Sequence, residues 1–305
     1  MHVEFHADDF GQTLTQSEEI LSCYTDGALT AVSIMPCSEC LPEAMEKLKT
    51  AERADYPISR TIHLDLIEGK ALSAGRVPHL VNEKGELSCR FGAMLLWSWL
   101  PGIRGKVKEE LKIELRAQIQ RCLPYVDREA LRLDSHAHYH MVPVVFDALM
   151  ELIEEDQLKV AFIRFPRERF SLYWRHRREI SGAKAINAVK AILLNALARR
   201  NCRVYRDRIE KLEKYAFMGV ALSGHMFVGN IRALLKDAIA DAESRGENLQ
   251  LLFHPGGVYE EEELKKVNSY ADRVFFSSKN RRKEKEALHE LREEAACWSG
   301  HGNNA

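Results

Sequence analysis

The sequence predicts an α/β protein folded as a single distorted TIM-like (β/α) barrel. Three observations predict it. Short apolar runs alternate with longer amphipathic stretches, about eight such runs occur in that rhythm, and polar residues gather where the runs end. Strands alternating with helices imply parallel pairing through right-handed crossovers. A chain of 305 residues suits one barrel of this kind.

The strands are read at Val3 to Ala7, Leu29 to Met35, Thr61 to Leu66, Leu131 to Ser135, Lys159 to Phe165, Phe217 to Leu222, Leu249 to Phe253 and Arg273 to Phe276. Helices lie between them. Val107, Leu111, Leu115 and Ile119 recur every fourth residue across Arg104 to Leu123, which gives one apolar face and charged residues on the others. Val144 to Leu158 and Ile231 to Ala242 repeat the pattern. The stretch Arg164 to Arg208 is the least regular and most basic, with a helix expected from Ala183 to Arg199. The expected organisation is one domain over 1–296, an inserted irregular and helical segment around 166–212, and a frayed Gly/Asn-rich tail over 297–305.

Composition narrows the function classes. Lys+Arg 44 against Asp+Glu 45 leaves a net charge of -1, so the chain as a whole has no pull on nucleic acid or anionic lipid, although local basic patches remain open. The longest nearly apolar run, Phe91 to Ile103, is too short to span a bilayer and is cut by Pro101-Gly102. The first residues lack a basic segment followed by an apolar one, so no secretory signal is expected. Seven scattered cysteines, with a lone CxxC at Cys37 to Cys40, suit a reducing cytoplasm better than a disulfide scaffold.

The chemistry is concentrated at strand ends. The first strand ends in Ala7-Asp8-Asp9-Phe10-Gly11, and two adjacent carboxylates cannot be buried without a partner. Taken alone, the pair reads as a solvated acidic turn or helix cap. Thr61 to Leu66 carries His63 among apolar neighbours, where a lone histidine reads as a core residue. Leu131 to Ser135 leads into Asp134-Ser135-His136-Ala137-His138-Tyr139-His140, read as a continuing strand with acid and imidazoles on one side. His136 and His140 then lie about 13 Å apart, so the three histidines cannot share one ion, and those left over face substrate or orienting acids. Leu249 to Phe253 delivers His254 before Pro255-Gly256-Gly257. Imidazoles and a carboxylate arriving from separate strand ends point to a divalent metal. His225 reads equally as a pocket-rim group or an ordinary loop histidine.

HADDFG at 6–11, HLDLIEG at 63–69, LDSHAHYH at 133–140 and HPGG at 254–257 resemble, in order and approximate spacing, the YdjC/ChbG-like carbohydrate deacetylase family from about Val3 to Ser278. The resemblance implies a polysaccharide-deacetylase-like barrel, one divalent ion (Mg2+ or Zn2+), and hydrolysis of the acetamide of an N-acetylated amino sugar or chito-oligosaccharide. Residue by residue it implies Asp9, His63 and His136 as metal ligands, Asp8 as general base and His254 as general acid. Arg164 falls where a basic residue lies near substrate. His138 is placed with it toward substrate, and Asp134 is read as orienting an imidazole through its free N–H. His6 and Arg132 depart from the family pattern. The implied partner is a small carbohydrate, with no nucleic acid and no membrane. Trp97, Trp99 and Trp174 read as sugar platforms, core residues or subunit contacts, which leaves a homodimer open. Two rival readings remain: a metal-dependent phosphoesterase on a similar barrel, and a catalytically idle sugar-binding protein.

Overall fold

The computed structural model describes residues 1–257, 273–274 and 277–298. The strands are β1 (Val3–Phe10), β2 (Ala31–Ile34), β3 (Ser59–Leu64), β4 (Leu131–Ser135), β5 (Val160–Ile163), β6 (Tyr215–Met218) and β7 (Asn248–Phe253). Helices α1 (Leu14–Thr25), α2 (Leu41–Ala51), α3 (Phe91–Trp97), α4 (Pro101–Cys122) and α5 (Pro143–Glu155) connect the first five strands. Then come α6 (Phe170–Arg175), α7 (Ala185–Val204) and α8 (Arg206–Ile209) between β5 and β6, α9 (Val228–Glu243) before β7, and α10 (Lys279–Glu290) and α11 (Arg292–Trp298) after it. No helix among the described residues is long and apolar enough to cross a membrane.

All strand pairs are parallel, in the order β5-β4-β3-β2-β1-β7-β6. Every residue of β1 is buried, as expected of a central parallel strand covered on both faces. Phe5 stacks on Phe253 in the neighbouring strand with ring centroids 6.2 Å apart.

The sheet curls into a half-barrel, consistent with the expected distorted barrel but not a complete one. Among the described residues there are seven strands, and β5 and β6 are its two edges. The expected strand over 273–276 is not one where it is described: Arg273 and Val274 are helical, while 275 and 276 lie outside the described residues, as does 299–305 of the expected tail. Helices α6 to α8 are inserted where the edges would otherwise meet, and a cavity of about 650 Å3 lies between those edges, lined by Phe162, Phe165, Phe170 and Tyr215 among others. Several contacts bridge the gap, among them the Phe162 and Tyr215 rings at 4.9 Å. The Glu213 N–H donates to the Ala161 carbonyl at 2.8 Å. The buried Glu168 carboxylate accepts the N–H groups of Gly219, Val220 and Ala221 at 2.6, 2.9 and 2.7 Å, satisfying backbone donors that have no strand partner.

Adjacent strands bring their C-terminal ends together. His63 pairs in register with Asp134, and Ala7 with Phe253, so the residues that follow each pair emerge side by side.

Candidate metal centre and active site

Neighbouring residues of a regular strand face opposite sides. Asp8 and Asp9 escape that rule because the β1–β2 register slips between Ala7 and Phe10, and Asp9 adopts the left-handed region at φ +66°. Such a conformation is uncommon for a non-glycine residue and is found at functional sites. Both carboxylates are buried and reach one imidazole: His63 Nε2 lies 3.8 Å from Asp8 Oδ2 and 3.6 Å from Asp9 Oδ1.

His63 is oriented from behind. Its Nδ1 contacts Asp134 Oδ1 at 2.7 Å, a bond that fixes Nδ1 as the protonated nitrogen and leaves Nε2 facing the two aspartates. Asp134 is itself anchored by the Ser33 hydroxyl at 2.5 Å and by Arg164 Nη1 at 2.7 Å. Burial opposes ionisation of Asp134, yet Arg164 and His63 hold its carboxyl far below the usual range.

His136 arrives differently from the expectation. β4 stops at Ser135, and residues 136–141 form a 3-10 turn in which Ala137 and His138 have φ +49° and +60°. The regular spacing of the histidines is therefore not the alternation of a strand. His140 turns inward, between the Ser135 hydroxyl at 2.6 Å and the Arg164 carbonyl at 2.7 Å. His136 Nδ1 reaches Asp9 Oδ1 at 3.0 Å, and its ring stands nearly perpendicular to that of His63 at 5.6 Å.

Ligand atoms of Asp9, His63 and His136 all lie within 4.8 Å of one another. Asp9 Oδ2 and His63 Nε2 are buried without a hydrogen-bond partner among the described residues. Leaving such atoms unsatisfied is costly, and a cation between them removes the cost. The titration behaviour agrees. Despite burial, the hydrogen bond and charge of His136, then His254 and Arg281, hold Asp9 far below the usual carboxylate range, while Asp9 raises His136 well above that of an ordinary histidine. The site draws positive charge.

A second acidic group, His6, Asp8 and Asp134, is also close enough to hold a cation. It already contains one. Arg164 is buried and its Nη1 lies 2.9 Å from both oxygens of Asp8 as well as 2.7 Å from Asp134, with Nε on Gln250 at 2.8 Å. Of the two departures from the family pattern, His6 belongs to this group and Arg132 lies behind it. His6 spans Glu4 and Ser33 at 2.8 and 2.6 Å, and Arg132 pairs with Glu4 at 2.5 Å.

His254 keeps a partly exposed ring at the end of β7, and its enclosure pushes its pKa down to about 4 against the pull of Asp9 and Asp8. Its loop is held by α10, which the sequence did not mark. Glu284, fully buried, accepts the N–H of His254 at 2.7 Å and of Met226 at 3.2 Å. Burial raises its carboxyl to about 7. Arg281, one turn earlier, donates Nε–H to the Gly256 carbonyl at 2.5 Å and places Nη1 3.5 Å from Asp9 Oδ2. A charged pair three residues apart on a polar helix normally reads as a solvated face, so no sequence signal singled them out.

The remaining candidates are placed as follows. His138 is buried with its ring edge on Phe217, and burial followed by Arg164 lowers its pKa well below the ordinary value. His225 contacts Ser223, Phe227 and Asn280, and its ring fills the space that a side chain on Gly182 would need. None of those contacts reaches the metal cluster. Trp97 packs edge-on against His79, whereas Trp99 and Trp174 are exposed.

Comparison with known proteins gives the same family as the motifs. A family model described as YdjC-like protein matches residues 2–295. The chain is 30% identical over 143 residues to a chitooligosaccharide deacetylase of Serratia marcescens, covering 46% of this chain and 51% of that one. It is 30% identical over 163 residues to a carbohydrate deacetylase of Geobacillus stearothermophilus, covering 53% and 60%. The matched stretch thus spans between about half and three-fifths of those relatives. A carbohydrate deacetylase of Danio rerio is 23% identical with 82% and 80% covered. A solved structure from Enterococcus faecalis, provisionally named a cellobiose-phosphate cleavage protein, superposes with a TM-score of 0.63 at 20% identity over 98% of this chain and 94% of that one, a likeness of fold alone.

Proposed function

This chain belongs to the YdjC-like protein family, and on that premise we propose that it removes the N-acetyl group from an N-acetylated amino sugar or chito-oligosaccharide, releasing acetate. The observation that carries the reading is the convergence of Asp9, His63 and His136 within 4.8 Å, with two buried atoms that make no hydrogen bond among the described residues. Two imidazoles and one carboxylate form a donor set that leaves positions open for water and substrate. A divalent ion held there, Mg2+ or Zn2+, supplies Lewis acidity to the acetamide carbonyl and to water.

The chain's own groups do the rest. Asp8 is the general base, its carboxylate held by Arg164 at 2.9 Å and turned toward the cluster. Asp134 keeps His63 in the tautomer whose Nε2 is free to bind. His254 is the general acid for the departing amine. Its enclosure pushes its pKa down to about 4, so the proton it gives the departing amine must first be taken up from solvent. Arg164 serves this site by fixing Asp8. The segment 166–212 sets specificity within a domain over 1–296.

A metal-dependent phosphoesterase is the second reading. Two-metal phosphate chemistry needs a further ion beside the first. The group that offers a second place, His6, Asp8 and Asp134, is occupied by the Arg164 guanidinium, which favours one ion and the deacetylase.

The test is acetate release from acetylated chito-oligosaccharides by chelated and metal-reloaded protein, alongside phosphate release from sugar phosphates. Acetate is expected only after reloading. Asp8→Asn is expected to keep the metal and lose roughly 10²- to 10⁴-fold in turnover. Wild-type rates in that variant overturn the base assignment, and phosphate release without acetate selects the second reading.

A further inference from the structure

Helix α7 carries an outward face that a soluble enzyme does not need. Ile186, Val189, Ile192, Leu193 and Val204 are 37–59% exposed, five of the large apolar side chains left open among the described residues. At 100° per residue, Ile186, Val189 and Leu193 fall on one stripe, and Val204, five turns on, returns to the azimuth of Ile186. The face turned away from it, with Asn187, Ala191, Leu194, Asn195 and Ala198, is buried against the body of the protein, and Leu197 closes the near edge of the stripe.

Cations flank that stripe. Lys190 lies on one side, Arg199 and Arg203 on the other, and Arg206 follows the helix. The side chains of these four make no ion pair or hydrogen bond among the described residues, whereas Arg200 and Arg208, next to them, are paired with Asp147 and Glu154. Between Lys184 and Arg206 there is no Asp or Glu. The helix dipole accounts for a cation or two in the last turn but not for the apolar stripe or for Lys190. A second copy of the chain is a poor cover, because the nearby carboxylates, Asp207 and Glu210 just past the helix, are too few to neutralise four cations when this face pairs with itself.

We propose that α7 is an interfacial helix that docks the protein onto an anionic phospholipid surface. Its axis lies in the plane of the headgroups, its apolar stripe enters the acyl boundary, and Lys190, Arg199, Arg203 and Arg206 reach the lipid phosphates. A second exposed apolar group, Leu96, Trp99 and Leu100, lies at the end of α3, which packs on α5 as α7 does. The net charge of -1 hides the feature, since it averages a basic helix with acidic surface elsewhere. The docking uses no proposed metal ligand, base or acid, although α7 lies within the segment 166–212 assigned to specificity.

Flotation of the full chain with vesicles tests it, using phosphatidylcholine alone and phosphatidylcholine mixed with phosphatidylglycerol. Binding is expected only to the mixed vesicles and is expected to weaken as salt rises. Arg199→Gln and Arg203→Gln are each expected to weaken it roughly fivefold. Ile192→Glu with Val189→Glu should abolish it while metal content and the thermal midpoint stay unchanged. Should the Glu variants unfold, the Gln variants decide alone. No flotation with mixed vesicles, or flotation indifferent to these substitutions, overturns the proposal. So does a dimer dissolved by Val189→Glu, or retention on an oligonucleotide without vesicle binding.

Discussion

Two regions build the same site in opposite ways. The ends of β1, β3 and β4 present Asp9, His63 and His136 directly, on buried parallel strands whose register leaves little freedom. Helix α10 contributes from outside, with Arg281 and Glu284 reaching in to hold the loop that carries His254. Strand ends supply the groups proposed to hold an ion, and the helix supplies the position of a group that is not among them. The difference teaches that chemistry here is carried by the sheet and its alignment by an element far along the chain.

That contrast breaks first at the sheet. His63→Ala or Asp9→Asn is expected to remove bound metal and reduce turnover to background, since each deletes a donor from a set of three. Metal content measured on the purified variant, with circular dichroism to confirm the fold, checks this. Retention of a stoichiometric ion by both variants would place the ion elsewhere, and the comparison would lose its first half.

A smaller effect sharpens the comparison within the sheet. Asp134 fixes the proton on His63 Nδ1 from behind at 2.7 Å. Asp134→Asn is expected to weaken metal affinity by roughly 10- to 100-fold without abolishing it. Titration calorimetry measures the affinity. An unchanged value would mean that packing alone orients His63.

The legibility of these parts follows their physics. Strand positions were readable because a buried parallel strand is apolar along its length, and a polar group at its tip stands out, as at His63, Asp134 and His254. The bulge at Asp8 and Asp9 was not readable, because a register slip belongs to a pair of strands and leaves no mark in one of them. The turn at 136–141 was misread as strand because alternate histidines mimic period two, and only backbone angles at Ala137 and His138 tell the two apart. The open seam between β5 and β6 was missed for a related reason: apolar runs can be counted from sequence, but whether the outermost two meet depends on what is inserted between them. Arg281 and Glu284 were invisible because burial of a charged residue is decided by the partner it meets, here a backbone more than twenty residues away.

The last prediction concerns that helix. Glu284 is buried and its carboxyl is raised from 4.5 to about 7 by desolvation, so it binds its proton more tightly folded than unfolded. The sign follows from linkage: this contribution to stability is full below pH 4.5 and is lost as pH rises to about 7, by up to about 3 kcal/mol. Glu284→Gln keeps an oxygen for a backbone N–H and removes the charge, so the variant should lose the downward slope of stability between those pH values while the wild type retains it. Denaturant unfolding at a series of pH values reads the difference. Parallel slopes in the two proteins would show that Glu284 stays ionised throughout, held by the N–H groups of His254 and Met226 more strongly than burial opposes it. In that case the helix would act on His254 as a fixed anion, and its influence on the proton at the site would be electrostatic as well as positional.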